Sequence, residues 1–309
     1  MDFLTLLKDC NLCNRHCSVN RLNGEIGFCR ATDKIKIARA GLHFFEEPPI
    51  SQDNGSGAVF FSNCNLKCVF CQNYNISQEN TGDYISIERL SEIFLELQKQ
   101  GANNINLVTP THYVPQIIEA LKLSKNAGLA IPILYNTNGY DSLETIKLLD
   151  GYIDVYLPDF KYFNNKYAKK YSNVDNYLEN EIPILKEMVR QTGKPKFNDK
   201  GLIQKGVIIR HLMLPGLLFD SKKIIDTIYN LFEDEVYISI MSQYVPMYNA
   251  IKYPEINKKL NPKHYDALIN YATYIGVVNG FIQDADSATT KYTPDFNLQG
   301  VHIENPPKR

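Results

Sequence analysis

The feature that most constrains the fold is a regular alternation of short apolar runs with helical patterns. The apolar runs lie at 57–62, 104–108, 131–135, 153–157, 206–212 and 236–240. Segments with helical periodicity follow them, at 87–97, 115–125, from 141, 164–191, 220–231 and from 262. Alternation of this kind is typical of right-handed strand–helix–strand units that form a parallel sheet. With six units, the sequence predicts an α/β fold with an open, partial (β/α)6 TIM-like barrel rather than a closed eightfold one.

Local signals indicate where several helices begin or break. Polar residues in N-cap positions precede the helical segments, namely Ser86, a capping-box pattern at 141–144, Asp220, and Asn261 before Pro262. Pro183 lies inside the segment 164–191 and predicts a broken helix there, since proline removes a helical hydrogen bond.

The pattern divides the chain into three parts. A four-cysteine segment at 1–50 precedes the core barrel at 51–283, and a polar, proline-containing tail at 284–309 is expected to wrap around it. The 309 residues suit one large α/β domain with small additions.

The seven cysteines form two groups near the N-terminus. Cys10, Cys13, Cys17 and Cys29 make up the first group, Cys64, Cys68 and Cys71 the second. The sequence shows neither a signal peptide nor an apolar run of about 20 residues. We therefore expect a cytoplasmic protein with reduced thiols, in which clustered cysteines indicate two inorganic sites rather than disulfides.

The second group directly follows the first predicted strand, with the spacing Cys-x3-Cys-x2-Cys. Ligand sites of such folds lie at the carboxyl ends of the strands. A cube of four irons needs four outer ligands, so three thiolates leave one iron open for chemistry. The alternative is a zinc loop or incidental buried cysteines.

Six stretches together carry a resemblance to a known family. They are NCNLKCVFCQNYNISQ, NINLVTPTHYVPQI, YNTNGY, DVYLPDFKY, RHLMLPG and ISIMSQYVPMY. The Cys-x3-Cys-x2-Cys loop resembles that of the radical S-adenosylmethionine superfamily, and the six stretches resemble its pyruvate formate-lyase-activating-enzyme-related (PflX-type) branch over nearly the whole chain.

The resemblance implies an oxidoreductase with a [4Fe-4S] cluster and S-adenosyl-L-methionine as cofactors. Such an enzyme cleaves S-adenosylmethionine reductively to methionine and a 5′-deoxyadenosyl radical, which abstracts hydrogen from a C–H bond. The implied partners are an electron donor such as flavodoxin or ferredoxin and, in the leading version, a glycyl radical enzyme that is activated. The alternatives are modification of a small molecule or peptide, and a non-catalytic iron–sulfur or zinc protein for electron transfer or scaffolding.

The net charge of −1 and a pI of about 6.6 argue against a nucleic-acid partner. No membrane partner is expected either, because the sequence has no run of membrane-spanning length.

The resemblance also implies residues for both cofactors. Cys64, Cys68 and Cys71 would bind the cluster; Phe70, Thr109, Thr111, Asn136, Thr137, Asp159, Lys161 and Arg210 would contact S-adenosylmethionine. Thr109 and Thr111 stand where typical members have Gly-Gly-Glu for the methionyl ammonium, although a helix-capping Thr111 is the alternative. Lys161 would pair with the methionyl carboxylate and Asp159 would order it, a rim salt bridge being the alternative. Arg210 lies in an apolar strand and needs a partner.

The first cysteine group is compatible with two kinds of occupant. Four thiolates satisfy either a closed zinc site or a second iron–sulfur cluster, and the opening Cys-x2-Cys is common to both. A cluster would relay electrons to the catalytic site, whereas zinc would only hold the segment folded. The small activating enzymes lack this segment.

Overall fold

The computed structural model describes residues 2–283 and 293–302, and a mostly parallel sheet forms its centre. The strands are β1 (Ile35–His43), β2 (Ser56–Phe61), β3 (Asp83–Ile85), β4 (Ile105–Val108), β5 (Ile133–Thr137), β6 (Val155–Pro158), β7 (Lys196–Phe197), β8 (Ile203–Leu212), β9 (Tyr237–Met241) and β10 (Gly280–Ile282).

Helices follow most of the parallel strands. They are α1 (Pro48–Ser51), α2 (Tyr74–Ser77), α3 (Ile87–Lys99), α4 (Val114–Asn126), α5 (Leu143–Leu148), α6 (Asn165–Ser172), α7 (Tyr177–Thr192), α8 (Leu218–Phe232) and α9 (Pro262–Tyr274). Short 3-10 turns occur at Phe3–Lys8, Arg21–Asn23, Thr111–Tyr113 and Tyr248–Lys252. None of the helices in the described part of the chain is both long and apolar enough to cross a membrane.

The six predicted strands form a continuous parallel array in the order β2-β4-β5-β6-β8-β9. β10 extends it in parallel beside β9, while β1 and then β3 extend the other edge antiparallel to their neighbours. Within the described residues the sheet does not close on itself. The predicted α/β partial barrel is therefore confirmed.

The parallel strands are buried on both faces, which is why they read as nearly continuous apolar runs. Towards the helices, Tyr135, Tyr156 and Ile209 belong to the large core. On the other face, a separate cluster fills the barrel interior with Ile50, Leu134, Val155, Leu157, Ile203 and Ile208. The side chains nearer the carboxyl ends of these strands are polar, and they form the site described below.

Most predicted helix starts are correct. The Ser86 hydroxyl caps α3 by accepting the Arg89 N–H at 3.1 Å, and the Asn261 side chain caps α9. For α5 the cap is Ser142, inside the predicted 141–144 pattern. The prediction for Asp220 was wrong: it lies in the first turn of α8, and its carboxylate accepts backbone N–H groups from Phe163 and Asn164 at 3.0 Å each.

The segment 164–191 is broken, but not at its proline. α6 ends before Asn173, and both Asn173 and Asn176 adopt left-handed backbone conformations with φ of 52° and 51°. Asparagine tolerates this conformation better than most residues, which accounts for the break. Pro183 lies inside α7, so the expectation that it breaks the helix was wrong.

The N-terminal segment lies across the carboxyl-end rim of the barrel. Leu12 accepts the Ser142 N–H at 3.2 Å, and the Arg15 Nε donates to the Asn65 carbonyl at 3.0 Å. The region 1–50 also contains β1, which pairs with β2, so it contributes to the barrel sheet. The division of the chain at residue 50 stays a prediction.

Part of the predicted C-terminal tail runs along β1. The Leu298 N–H donates to Ala38 at 3.1 Å and the Ala40 N–H donates to Gln299 at 2.8 Å. Residues 284–292 and 303–309 of the predicted tail lie outside the described residues.

Candidate active site

The three later cysteines lie in the loop that follows β2, on the carboxyl-end rim. Cys64, Cys68 and Cys71 line one cavity of about 210 Å3. A positive φ of 76° at Asn63 turns the chain out of the strand into this loop. The sequence prediction that the triad faces a ligand site at the strand ends fits this arrangement.

Each thiol of the triad has a hydrogen-bonding neighbour. The Cys64 sulfur accepts the Leu66 N–H at 3.4 Å and the Asn138 amide at 3.3 Å. Cys68 lies 2.9 Å from the Ser172 hydroxyl, and Cys71 lies 3.3 Å from the Ser77 hydroxyl. Donors of this kind stabilise the negative charge that a metal-bound thiolate keeps.

Without a metal, burial keeps the triad protonated. Burial raises the pKa of Cys64 to about 12 and that of Cys71 to about 11, and the neighbouring Cys68 adds to both shifts. A coordinated metal ion reverses this by deprotonating the thiol.

The triad thiols are not gathered around a single-ion site. Across residues 2–283 and 293–302, no three histidine, cysteine or carboxylate side chains are gathered closely enough to bind one ion. In a cube each thiolate binds a different iron, so its ligands stand further apart than those of a single ion.

A buried ion network occupies the strand ends next to the triad. Asp159 lies 2.6 Å from the Lys161 ammonium and 3.1 Å from Arg210 Nε. Arg210 also contacts the Glu46 carboxylate at 3.2 Å and the Asn136 amide oxygen at 2.5 Å. The partner that an arginine in an apolar strand requires is thus present.

The network fixes the protonation of its members. Burial alone would raise the pKa of Asp159, but Lys161 and Arg210 outweigh it and lower that pKa. Burial would lower the pKa of Lys161, but Asp159 and then Cys68 outweigh it and raise that pKa. Asp159 is therefore a carboxylate and Lys161 an ammonium at neutral pH.

Most of the predicted S-adenosylmethionine contacts lie around the triad. The cavity that the three thiols line is also lined by Phe70, Thr109, Asn136, Thr137, Asp159, Lys161 and Arg210. Thr109 has a positive φ of 58°, and its N–H donates to the Asn136 carbonyl at 2.9 Å. Thr111 is fully buried behind the lining, and its hydroxyl is 3.5 Å from that of Thr137.

A larger cavity of about 570 Å3 adjoins the triad cavity. Both cavities share Arg210, Met241 and Gln243 as lining residues. The larger one is also lined by Glu46 and Glu47, which sequence reasoning missed. The only signal was an acidic pair before two prolines, which does not indicate a site by itself.

The four N-terminal cysteines also come together. Cys10, Cys13, Cys17 and Cys29 line one small cavity together with Arg15 and Arg21. Burial raises the pKa of Cys13 and of Cys29. The segment that carries these thiols lies beside the loop that carries the triad, because the Arg15 Nε donates to the Asn65 carbonyl.

Comparisons with known proteins agree with this geometry. A family model described as "Radical SAM superfamily" matches residues 58–228. The uncharacterized protein MJ0674 of Methanocaldococcus jannaschii is 34% identical over 278 residues, which cover 86% of this chain and 75% of that protein. A second uncharacterized protein of that organism, MJ0808, is 24% identical over 157 residues, covering 45% and 46%.

Solved structures share the fold at low sequence identity. Streptococcus suis SuiB bound to its precursor peptide SuiA aligns with a TM-score of 0.50 and 16% identity, over 72% of this chain and 46% of SuiB. The chain therefore spans about half the length of SuiB. A spore photoproduct lyase mutant aligns with a TM-score of 0.50 and 10% identity, over 79% of both chains.

The family match covers more than half of the chain, and the archaeal relative is similar along most of its length. The chain belongs to the Radical SAM superfamily.

Proposed function

We propose that this chain is a radical S-adenosylmethionine oxidoreductase that abstracts a hydrogen atom from its substrate. The main observation that supports this proposal is that Cys64, Cys68 and Cys71 share one cavity with the Asp159–Lys161–Arg210 network. When bound there, a [4Fe-4S] cluster and S-adenosylmethionine supply a reducing electron and a 5′-deoxyadenosyl radical, with release of methionine.

The chain's own residues would hold and tune the cluster. The three cysteines supply three of four outer ligands and leave one iron position to S-adenosylmethionine. Ser172, Ser77 and the Leu66 N–H lie at the three sulfurs and would stabilise their charge. Such hydrogen bonds raise the reduction potential of a cluster.

The rim residues would bind S-adenosylmethionine. Lys161, held as an ammonium by Asp159, would pair with the methionyl carboxylate. Thr109 and Asn136 line the same cavity, and their oxygens would accept from the methionyl ammonium. Phe70, whose ring lies 5.8 Å from that of Tyr244, would contact the adenine. Thr111 would act only through Thr137, because it does not line the cavity.

The substrate would occupy the larger adjoining cavity. Its volume of about 570 Å3 lies within the usual range for ligand pockets. The lining of this cavity includes Phe44 and Phe45, whose exposed fractions are 49% and 55%. Exposed aromatic side chains next to each other favour a macromolecular partner. The leading version is therefore activation of a glycyl radical enzyme by hydrogen abstraction from a backbone glycine, in line with the resemblance to pyruvate formate-lyase-activating enzymes.

The alternative is modification of a peptide or small molecule. The solved structure of SuiB contains a precursor peptide, so a peptide is one such substrate to test.

A low-potential electron donor of the flavodoxin or ferredoxin type and a cytoplasmic location complete the proposal. The four N-terminal cysteines would hold a second metal centre, either zinc or an iron–sulfur cluster.

The test is anaerobic reconstitution with iron and sulfide, then incubation with S-adenosylmethionine and dithionite, with 5′-deoxyadenosine measured. Cys68→Ala should abolish the product, because it removes a cluster ligand. Val69→Ala is the matched control, since Val69 is adjacent but does not line the cavity. It should retain activity.

A fully loaded cluster without 5′-deoxyadenosine would reject radical chemistry and favour an electron-transfer or scaffold protein. Equal activity in the two variants would reject the assignment of the triad.

A further inference from the structure

Two neighbouring segments of the chain carry an excess of positive charge. Residues 10–30 contain three arginines but a single carboxylate. The triad loop, residues 63–73, contains Lys67 and no carboxylate. The chain as a whole has a net charge of −1, so positive charge is concentrated beside the triad.

Three of these cations form one cluster. The Arg15 guanidinium lies 3.6 Å from the centre of the Phe28 ring, and the Lys67 ammonium lies 5.4 Å from the same centre. The Arg30 Nη1 donates to the Gln78 carbonyl at 3.4 Å, and the Gln78 side chain donates to the carbonyl that precedes Lys67 at 3.2 Å. Arg15, Phe28, Arg30 and Lys67 together form what we call the basic surface.

The basic surface is accessible and its charges are not neutralised by carboxylates. Arg30 is exposed, and Arg15 and Lys67 are partly exposed. Among the described residues, no carboxylate forms an ion pair with any of the three. Ile26, two positions before Phe28, is 59% exposed. Arginines around exposed apolar side chains are typical of protein–protein interfaces.

The position of the basic surface indicates what kind of partner it suits. Lys67 lies between Cys64 and Cys68, so a protein docked here is separated from the triad by one loop. The described residues that line the larger cavity, where the substrate would bind, come from other parts of the chain, so the two partners do not compete. A positive patch attracts a negative one and speeds association with it.

We propose that Arg15, Arg30 and Lys67 form the docking site of a small electron-carrier protein with an acidic face. The carrier loses one electron, and the cluster held by the triad goes from the 2+ to the 1+ state. Encounters between redox proteins bury little area, so charge acts mainly on their association rate. The proposal rests on the proposed function for the presence of the cluster, but not for cleavage of S-adenosylmethionine.

Rates of cluster reduction test the docking site. The reconstituted protein is mixed anaerobically with photoreduced flavodoxin, an acidic one-electron carrier, and the loss of visible absorbance of the cluster is followed without S-adenosylmethionine. We expect the second-order rate constant to fall about tenfold in Arg30→Glu, because electrostatic steering changes such rates by roughly 10- to 1000-fold. Lys67→Gln removes a charge without reversing it and should lose about threefold.

Lys125→Glu is the matched control. Lys125 is exposed in the last turn of α4, which leads to the amino end of β5 on the opposite rim of the barrel. This variant should be reduced by flavodoxin at nearly the wild-type rate. Photoexcited 5-deazariboflavin, a small neutral reductant, should reduce all four proteins equally, and iron counts establish that their clusters are equally loaded.

Salt provides a second measurement that needs no variant. Raising the salt concentration from about 0.02 M to about 0.5 M should slow the flavodoxin reaction of the wild type, because it screens the charges, and should affect Arg30→Glu less. A wild-type rate independent of salt, or an equal loss in Lys125→Glu, would overturn the proposal. A loss with 5-deazariboflavin as well would also overturn it, since the cations would then act on the cluster itself.

This outcome is separate from that of the proposed function. A cluster that accepts electrons from flavodoxin at the basic surface but yields no 5′-deoxyadenosine would reject the proposed function and support the docking site.

Discussion

At the scale of single residues, the site depends most on Asp159, because one carboxylate holds two buried cations. Asp159→Asn would leave Lys161 and Arg210 close together with less opposing charge. We expect a loss of about 3 kcal/mol in the free energy of unfolding, since removing one partner of a buried ion pair leaves charge uncompensated. Urea unfolding of the metal-free proteins measures it.

Asp175→Asn is the control for this substitution. Asp175 pairs with Lys169 on the surface, and its side chain is 65% exposed. Exposed pairs contribute little, so the change should stay within about 0.5 kcal/mol. Equal losses in both variants would contradict the buried-network interpretation.

The same carboxylate predicts a pH dependence. Its pKa is lowered in the folded state, so its contribution is fully present above the unfolded value of roughly 3.9 and is lost as pH falls below it. The stability difference between wild type and Asp159→Asn should therefore shrink as pH is lowered from about 5 to about 3. A constant difference across this window would show that the carboxylate charge is not what stabilises the network.

At the scale of secondary structure, Ser86 sets where α3 begins. Ser86→Ala removes the acceptor of the Arg89 N–H and should lower the free energy of unfolding by about 1 kcal/mol. Ser86→Asp keeps an oxygen at the same place and should stay close to the wild type. Thermal or urea unfolding compares the three proteins. A loss in the aspartate variant as large as that in the alanine variant would exclude capping as the cause.

Elements defined by local chemistry could be predicted from the sequence. The six parallel strands are continuous apolar runs, and the α3 and α9 starts follow from their own cap residues. β1 was not predicted, because Lys36 and Arg39 interrupt its apolar pattern. In the fold Lys36 is 7% exposed and donates to the Asn80 carbonyl at 2.6 Å, a contact that no local pattern indicates.

The residues of the candidate site also differ in whether the sequence could predict them. The triad could be predicted because its spacing and its place after a strand are local properties. Glu46 could not, because its role arises only when folding brings it to Arg210, 164 positions later in the chain. Likewise, nothing in the spacing of the first cysteines indicates that Arg15 of this segment donates to the Asn65 carbonyl in the triad loop.

At the scale of the whole molecule, the proposed metal centre at the N-terminal cysteines would add to the order of the segment that carries them. Residues 10–30 contain one short 3-10 turn and are linked to the barrel rim mainly by hydrogen bonds, among them those of Leu12, Asn14, Arg15 and Arg21. The barrel is held together by a large continuous core, to which Cys29 is the buried contribution of this segment. A bound metal centre in such a segment adds its binding free energy to local stability.

Removing metal with a chelator under anaerobic conditions should therefore loosen this segment and the loop that carries the triad, but not the strands of the barrel. We expect amide hydrogen exchange in 10–30 to accelerate on the order of tenfold or more, because the four thiols would lose the metal centre that joins them. Exchange in β4, β5 and β6 should change little, since the large core protects them. Unchanged exchange in 10–30 would mean that packing on the rim holds the segment without metal, and loss of protection in β4, β5 and β6 as well would mean that the two parts unfold as one unit.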